Sequence, residues 1–209
     1  MTATIKKKMI QAYEVRNDGD FGNISIEEIS YQREDGPRHA CRVMVTSSYG
    51  DYGYFWNHCG VRGKKSLIGM SMDYCMGKFM GKSLDVFDLD ATIKAMKKPL
   101  VEAMRKREIS RTLAREYWDC IENIESERPN NESMFVTACY EHFSDLRNDD
   151  RYSEPWHYTA TRYDSNAVGF WNEIWLPLMD ELRAELEVER VEQERIDALN
   201  KSLSDECPF

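Results

Sequence analysis

The sequence lacks the spacings that would mark the commoner small binding and metal folds. Its six cysteines, Cys41, Cys59, Cys75, Cys120, Cys139 and Cys207, stand singly with no CxxC, which argues against a zinc ribbon or a secreted disulfide scaffold and reads as reduced thiols. No window approaches eighteen apolar residues, and the basic run in "MTATIKKKMIQAYEV" is followed by no apolar stretch, so neither a membrane span nor an export signal is expected. There is no internal repeat and no long low-complexity linker. "GVRGKKS" has Gly-Lys-Lys-Ser but only two residues between its glycines, where a phosphate-cradling P-loop needs four.

What is present is charge, unevenly placed. Residues 1–60 carry seven basic and eight acidic residues, residues 61–115 thirteen and six, and residues 116–209 eight and twenty-three, within a net charge of −9. An asymmetry of this kind points to a polar partner surface. At 209 residues the chain is long enough for one self-sufficient core, and a single domain is expected over 1–209, mainly strands over 1–63 and mainly helices over 64–209.

Period-two patterning dominates the first third. "IQAYEV" aligns Tyr13 and Val15, "NISIEEISYQRED" aligns Ile24 with Ile26 and then Ile29 with Tyr31, and "HACRVMVTSS" aligns Cys41, Val43 and Val45. Asp35-Gly36-Pro37-Arg38 predicts a reversal between Glu28–Glu34 and His39–Ser47, and Tyr49-Gly50-Asp51-Tyr52-Gly53 a second, with "YFWNH" returning as a strand. From Ser66, read as an N-cap, the spacing of Leu67, Met70, Tyr74 and Phe79 predicts a helix to Gly81. "DLDATIKAMKKPLVEAMRKR" follows with acids first and bases last, as the helix dipole favours, and Pro99 predicts a kink or break. Ser110 caps a third helix with a Leu113, Tyr117, Cys120, Ile124 stripe, and "ESMFVTACYEHFSDL" makes a fourth after Pro129-Asn130-Asn131. "RNDDRYSEPWHYTATRYDS" reads as a loop with a short strand near Trp156–Thr161. The remainder is helical with a kink at Pro177; its stripe of Trp171, Trp175, Leu178, Leu182 and Leu186 fades into Glu-rich sequence. The fold class is α+β: an N-terminal antiparallel sheet of three or four strands packed by the helices after it.

Three chemistries compete for the function. The first needs thiols: Cys139 and His142 share a helix face at i, i+3, with Asp145 continuing the spacing, while His58-Cys59 and His39/Cys41 are weaker pairs. None has a visible third and fourth ligand, so no metal and no cofactor are expected, and acid pairs such as Asp88/Asp90 or Asp149/Asp150 read as caps or solvated charges. The second is nucleic-acid binding by Lys94, Lys97, Lys98, Arg105 and Arg111 on two successive helices, with Arg62, Lys64 and Lys65 at the sheet-to-helix junction. The third is protein binding. Glu181, Glu185, Glu189 and Glu192 form one carboxylate row able to imitate phosphates before a basic groove, and Tyr49, Asp51 and Tyr52 sit at a hairpin tip.

"SSYGDYGYFWNHCG", "CMGKFMGKS" and "REISRTLAREYWDCIENI", spanning about Val43 to Ile124, resemble a group of small proteins encoded by tailed phages and prophages. The resemblance implies an accessory protein that is not an enzyme and acts by binding in the host cytoplasm. Inhibitors of host defence, anti-CRISPR proteins among them, occur in that group, so the implied partner is a host protein or ribonucleoprotein complex. Direct contact with nucleic acid is the alternative partner, and a Cys/His enzyme the alternative chemistry.

Overall fold

The structure, a computed structural model, describes residues 7–8, 10–146 and 150–206. It is α+β, with a four-stranded antiparallel sheet at the N-terminal end and a helical set after it. The chain forms two compact units: residues 1–84 with 165–209, and residues 85–164.

In the first unit, β1 (Gln11–Asn17), β2 (Asp20–Arg33), β3 (Gly36–Ser47) and β4 (Gly50–Trp56) lie in chain order, every neighbour antiparallel. The pairs Asn17↔Asp20, Arg33↔Gly36 and Ser47↔Gly50 close three hairpins, each with a two-residue loop. The first loop is Asp18-Gly19 with φ of 44° and 99°, the left-handed pair that a type I′ turn requires and that Asp-Gly supplies at low cost. The other two reversals fall slightly earlier than expected, at Glu34-Asp35 and Ser48-Tyr49. Gly36 and Gly50, at φ of 123° and 127°, open the return strands, and Pro37 and Gly53 lie inside β3 and β4.

Pairing Val45 with Tyr52, Val43 with Tyr54 and Cys41 with Trp56 puts these side chains with Ile24 and Ile26 on one sheet face. That face is covered by α1 (Gly63–Ile68), α2 (Met72–Met80) and the C-terminal helices. The single helix expected from Ser66 is two. α1 starts at Gly63, with Ser66 inside it bonding back to the Gly63 carbonyl, and ends at Gly69; Ser71 then caps α2 by accepting from the Tyr74 amide at 3.3 Å. Tyr74, placed on the core stripe by its spacing, is 49% exposed as a result of this offset, whereas Phe79 is half-buried and packs against the core. Its ring lies 5.7 Å from those of Tyr52 and Trp175 and 5.8 Å from that of Trp56.

Ser165–Gly169 (α6), a π-helical turn Phe170–Trp175 and Leu176–Glu206 (α7) follow one another directly as helix. The irregularity expected at Pro177 lies just before it. A proline cannot donate to the carbonyl four residues back, here Glu173, and the wider i→i+5 spacing lies over that turn. Trp175, Leu178 and Leu182 of the predicted stripe are buried, and Trp171 and Leu186 half-buried.

The second unit begins and ends on a ribbon that the sequence pattern did not reveal. β5 (Asp85–Phe87) pairs antiparallel with β6 (Thr161–Tyr163), Asp85 opposite Tyr163. The strand expected near Trp156–Thr161 therefore lies later, and Pro155–Tyr158 is a 3₁₀ turn that Pro155 starts. Between the strands, α3 (Leu89–Lys106), α4 (Arg111–Glu127) and α5 (Glu132–His142) are each capped by a side chain: Asp88 on Ala91, Ser110 on Leu113, Asn131 on Met134. α3 runs through Pro99 without the break expected there. Thr92, Ile93, Met96, Leu100 and Ala103 are buried along it, and their packing offsets the missing amide. In α4 the buried stripe is Ala114, Tyr117, Ile121 and Ile124; Leu113 and Cys120 flank it half-buried.

Candidate functional site

The acidic row of α7 is largely spoken for within its own unit. Lys64 is buried, with its Nζ 2.5 Å from Glu185 and 5.6 Å from the centre of the Tyr13 ring, and the Tyr13 hydroxyl donates to the same carboxylate at 3.0 Å. Burial alone would lower the Lys64 pKa; the Glu185 carboxylate and the Tyr13 hydroxyl outweigh it, and the ammonium is held above its ordinary value. Burial also raises the Tyr13 hydroxyl. The Lys64 amide donates to Glu28 at 3.0 Å, and Arg62 bridges Glu28 at 3.6 Å and Glu189 at 3.0 Å. "GVRGKKS" therefore fastens the sheet to α7. Of the row, Glu181 is exposed, and Glu192 is exposed and 3.9 Å from Arg195.

The aromatic hairpin also faces inward. Tyr52 stacks between Phe79 and Phe170 and donates to the Tyr49 carbonyl at 2.8 Å. Tyr49 is half-buried over Gly169, where a Cβ would strike its ring, and donates to Asp20 at 2.6 Å, which pushes its hydroxyl up to about 12. Asp51 alone of the three is exposed, on edge strand β4.

The basic helices are the opposite case. On α3, Lys94, Lys98, Val101 and Arg105, at i, i+4, i+7 and i+11, line one ridge; on α4, Arg111, Arg115 and Trp118 line another. Lys94, Lys98, Arg105 and Arg111 are all exposed, and among the described residues none makes an ion pair. Lys97 and Arg115 are paired: Lys97 is half-buried, 2.7 Å from Glu125 and 5.1 Å from the centre of the Trp118 ring, and the exposed Arg115 lies 2.9 Å from Asp119. The two ridges border a groove of about 440 Å³ lined by Val101, Met104, Arg105, Arg111, Ala114, Arg115 and Trp118. The sequence pointed to the arginines and missed the apolar floor between them. Trp118, three residues after Arg115 and seven after Arg111, was the available signal. Its indole donates to Glu122 at 2.6 Å, fixing the ring.

Three of the thiols, Cys41, Cys75 and Cys139, are buried. Burial pushes Cys41 and Cys139 up to about 12 and Cys75 well above the usual thiol value. His142 turns from Cys139 to Glu127, at 2.6 Å, while its carbonyl accepts from Cys120. His58 lies beyond the end of β4, 3.3 Å from Arg38, and Cys59 bonds back to the Trp56 carbonyl. His39 pairs with Ser30 at 3.0 Å. Cys207 and Asp149, and the side chains of Asp145 and Asp150, lie outside the described residues. Among the described residues no three His, Cys, Asp or Glu side chains gather as metal ligands, and no helix is long and apolar enough to cross a membrane.

Among known proteins, the model of a phage family, Phage_phiTE_072, fits residues 3–184. No curated protein and no solved structure matches.

Proposed function

The chain belongs to that phage family, and on this premise we propose that it acts by binding nucleic acid through the α3–α4 face rather than by catalysis. One observation carries the reading: Lys94, Lys98, Arg105 and Arg111 stand exposed and, among the described residues, without ion pairs on adjoining ridges, beside a fixed tryptophan. Unpaired cations in a row neutralise phosphates and release counterions, and an indole offers a stacking surface that does not depend on base identity. The raised thiols of Cys41, Cys75 and Cys139 support binding over nucleophilic chemistry.

The test is fluorescence anisotropy with labelled single-stranded DNA, duplex DNA and RNA over a salt series. Four phosphate contacts give a log–log salt slope of roughly −3 to −4. Charge reversal at Lys94, Lys98, Arg105 and Arg111 is expected to abolish binding, and Trp118→Ala to weaken single-strand binding selectively. Absence of binding at low salt, or binding indifferent to these changes, overturns the proposal.

A second reading keeps its own support. Glu181 and Glu192 are exposed on one side of α7, an acidic surface suited to the basic groove of a host nucleic-acid-handling complex such as a CRISPR effector. Its test is capture of such a complex by the protein and by Glu181→Lys/Glu192→Lys. Glu185 and Glu189 are unsuitable, since reversing them sets a lysine against Lys64 or Arg62.

A further inference from the structure

We propose that the exposed end of α7 in one copy docks in the α3–α4 groove of a second copy, so that the chain assembles head to tail. α7 spans 31 residues, about 46 Å at 1.5 Å per residue. Its first two turns are clamped by burial of Leu178, Met179 and Leu182, and Glu189 is its last residue joined by an ion pair to another element among the described residues. From 190 to 202 no residue is buried and only Val191 is half-buried. Yet the surface there is not that of a merely solvated helix. Val188, Glu192, Ile196 and Leu199, at i, i+4, i+8 and i+11, form one ridge on which Val188 is 69%, Ile196 42% and Leu199 64% exposed. On the reverse side Glu187, Arg190 and Glu194 neutralise one another, with Arg190 between the two carboxylates.

Charge decides what such a ridge can meet. Residues 185–206 carry eight acidic and three basic residues, so two α7 ends laid together repel. The segment from Lys94 to Arg115 carries eight basic and two acidic residues, and its groove has the matching pattern: an apolar floor of Val101, Met104, Ala114 and Trp118 flanked by Arg105, Arg111 and Arg115. Met104 is itself 43% exposed. An acidic helix with three apolar knobs seats in such a groove by placing the knobs on the floor and the carboxylates against the guanidinium groups. The contact is one helix wide, below the standard interface size, so association on the order of micromolar and weakening with salt is expected. Because the two surfaces differ, the contact is heterologous and repeats into rings or open chains.

The inference shares the α3–α4 face with the proposed nucleic-acid site but does not rest on it. Sedimentation velocity of the full chain from micromolar to submillimolar concentration, at low and high salt and without nucleic acid, reads it directly. The unmodified protein is expected to associate with concentration and to dissociate in high salt. Ile196→Asp/Leu199→Asp, at two exposed positions of α7, removes the tip; Arg111→Glu/Arg115→Glu removes the groove. Each variant alone should associate at least about tenfold more weakly. Mixed together they should form a one-to-one dimer, since one intact tip and one intact groove remain. A monomeric unmodified protein at submillimolar concentration overturns the inference. So does a mixture that stays monomeric, the outcome expected if the tip seated in its own chain, and so does a groove variant that associates undiminished by itself, the outcome of tip-to-tip contact. Anisotropy on the unmodified protein separates the two ideas: nucleic-acid binding without self-association sinks only the assembly, and self-association without nucleic-acid binding sinks only the proposed function.

Discussion

At the scale of single residues, Lys64 and Trp56 make the most exposed claims. Lys64 and Tyr13 both hold their protons more tightly folded than unfolded, above ordinary values of 10.5 and 10.0. The stability this linkage contributes is complete at neutral pH and is lost as pH rises past that range, because proton release then favours the unfolded chain. Alkaline titration of unfolding in urea should show the loss, and Lys64→Met should flatten it. Glu185→Leu leaves the buried ammonium without its carboxylate and is expected to destabilise by up to about 3 kcal/mol, whereas Lys64→Met/Glu185→Leu recovers part of that. Trp56 is 5% exposed, with its ring 4.8 Å from that of Tyr54, so Trp56→Ala should cost about 3 to 5 kcal/mol by denaturant midpoint. A stability unchanged from the parent would place the indole outside the core. None of these partnerships could be read from spacing. Lys64 and Glu185 are separated by 121 positions, and a basic run beside an acidic row in the sequence says nothing of which charges cancel.

At the scale of elements, what was legible followed from local rules. Alternation in β2 and β3 assigned Ile24, Ile26, Cys41, Val43 and Val45 to one face, and Ser110 stood where a cap was needed. What was missed depends on distant partners. Three-residue strands such as β5 and β6 are too short to show a period and exist only through each other, and Gly69 with Ser71 split a helix whose apolar spacing looked continuous. The candidate site divides the same way: the cations of α3 and α4 were apparent; which of them lack an ion pair among the described residues, and the apolar floor, were not. Asp18-Gly19 was legible and passed over. Gly19→Ala forces φ of 99° on a side chain and should cost about 1 kcal/mol or more, read as a fall in the first unit's thermal midpoint. Pro99→Ala restores an amide inside α3 and is expected to raise stability, by about 1 kcal/mol or more; a fall would mean that the pyrrolidine ring packs better than the restored hydrogen bond pays back.

At the scale of the whole molecule, the charges separate a basic α3–α4 face from an acidic α7 end, and both proposals turn on that separation. With no ligand cluster among the described residues, chelator treatment should leave the melting temperature unchanged; stoichiometric zinc lost together with the fold would contradict this. The order of the units along the chain has a further consequence, for synthesis. The second unit is one uninterrupted segment, 85–164, while the first needs residues on both sides of it. A ribosome therefore finishes the sheet early and its lid late. Between the emergence of Trp56 and that of Leu182, roughly 6 to 25 seconds pass at about 5 to 20 residues per second. During that interval Ile24, Val43, Val45 and Trp56 have α1 and α2 for cover but not the helix bearing Phe170, Ile174 and Trp175. The inner unit can close first, and the sheet, made before that unit, is sealed after it.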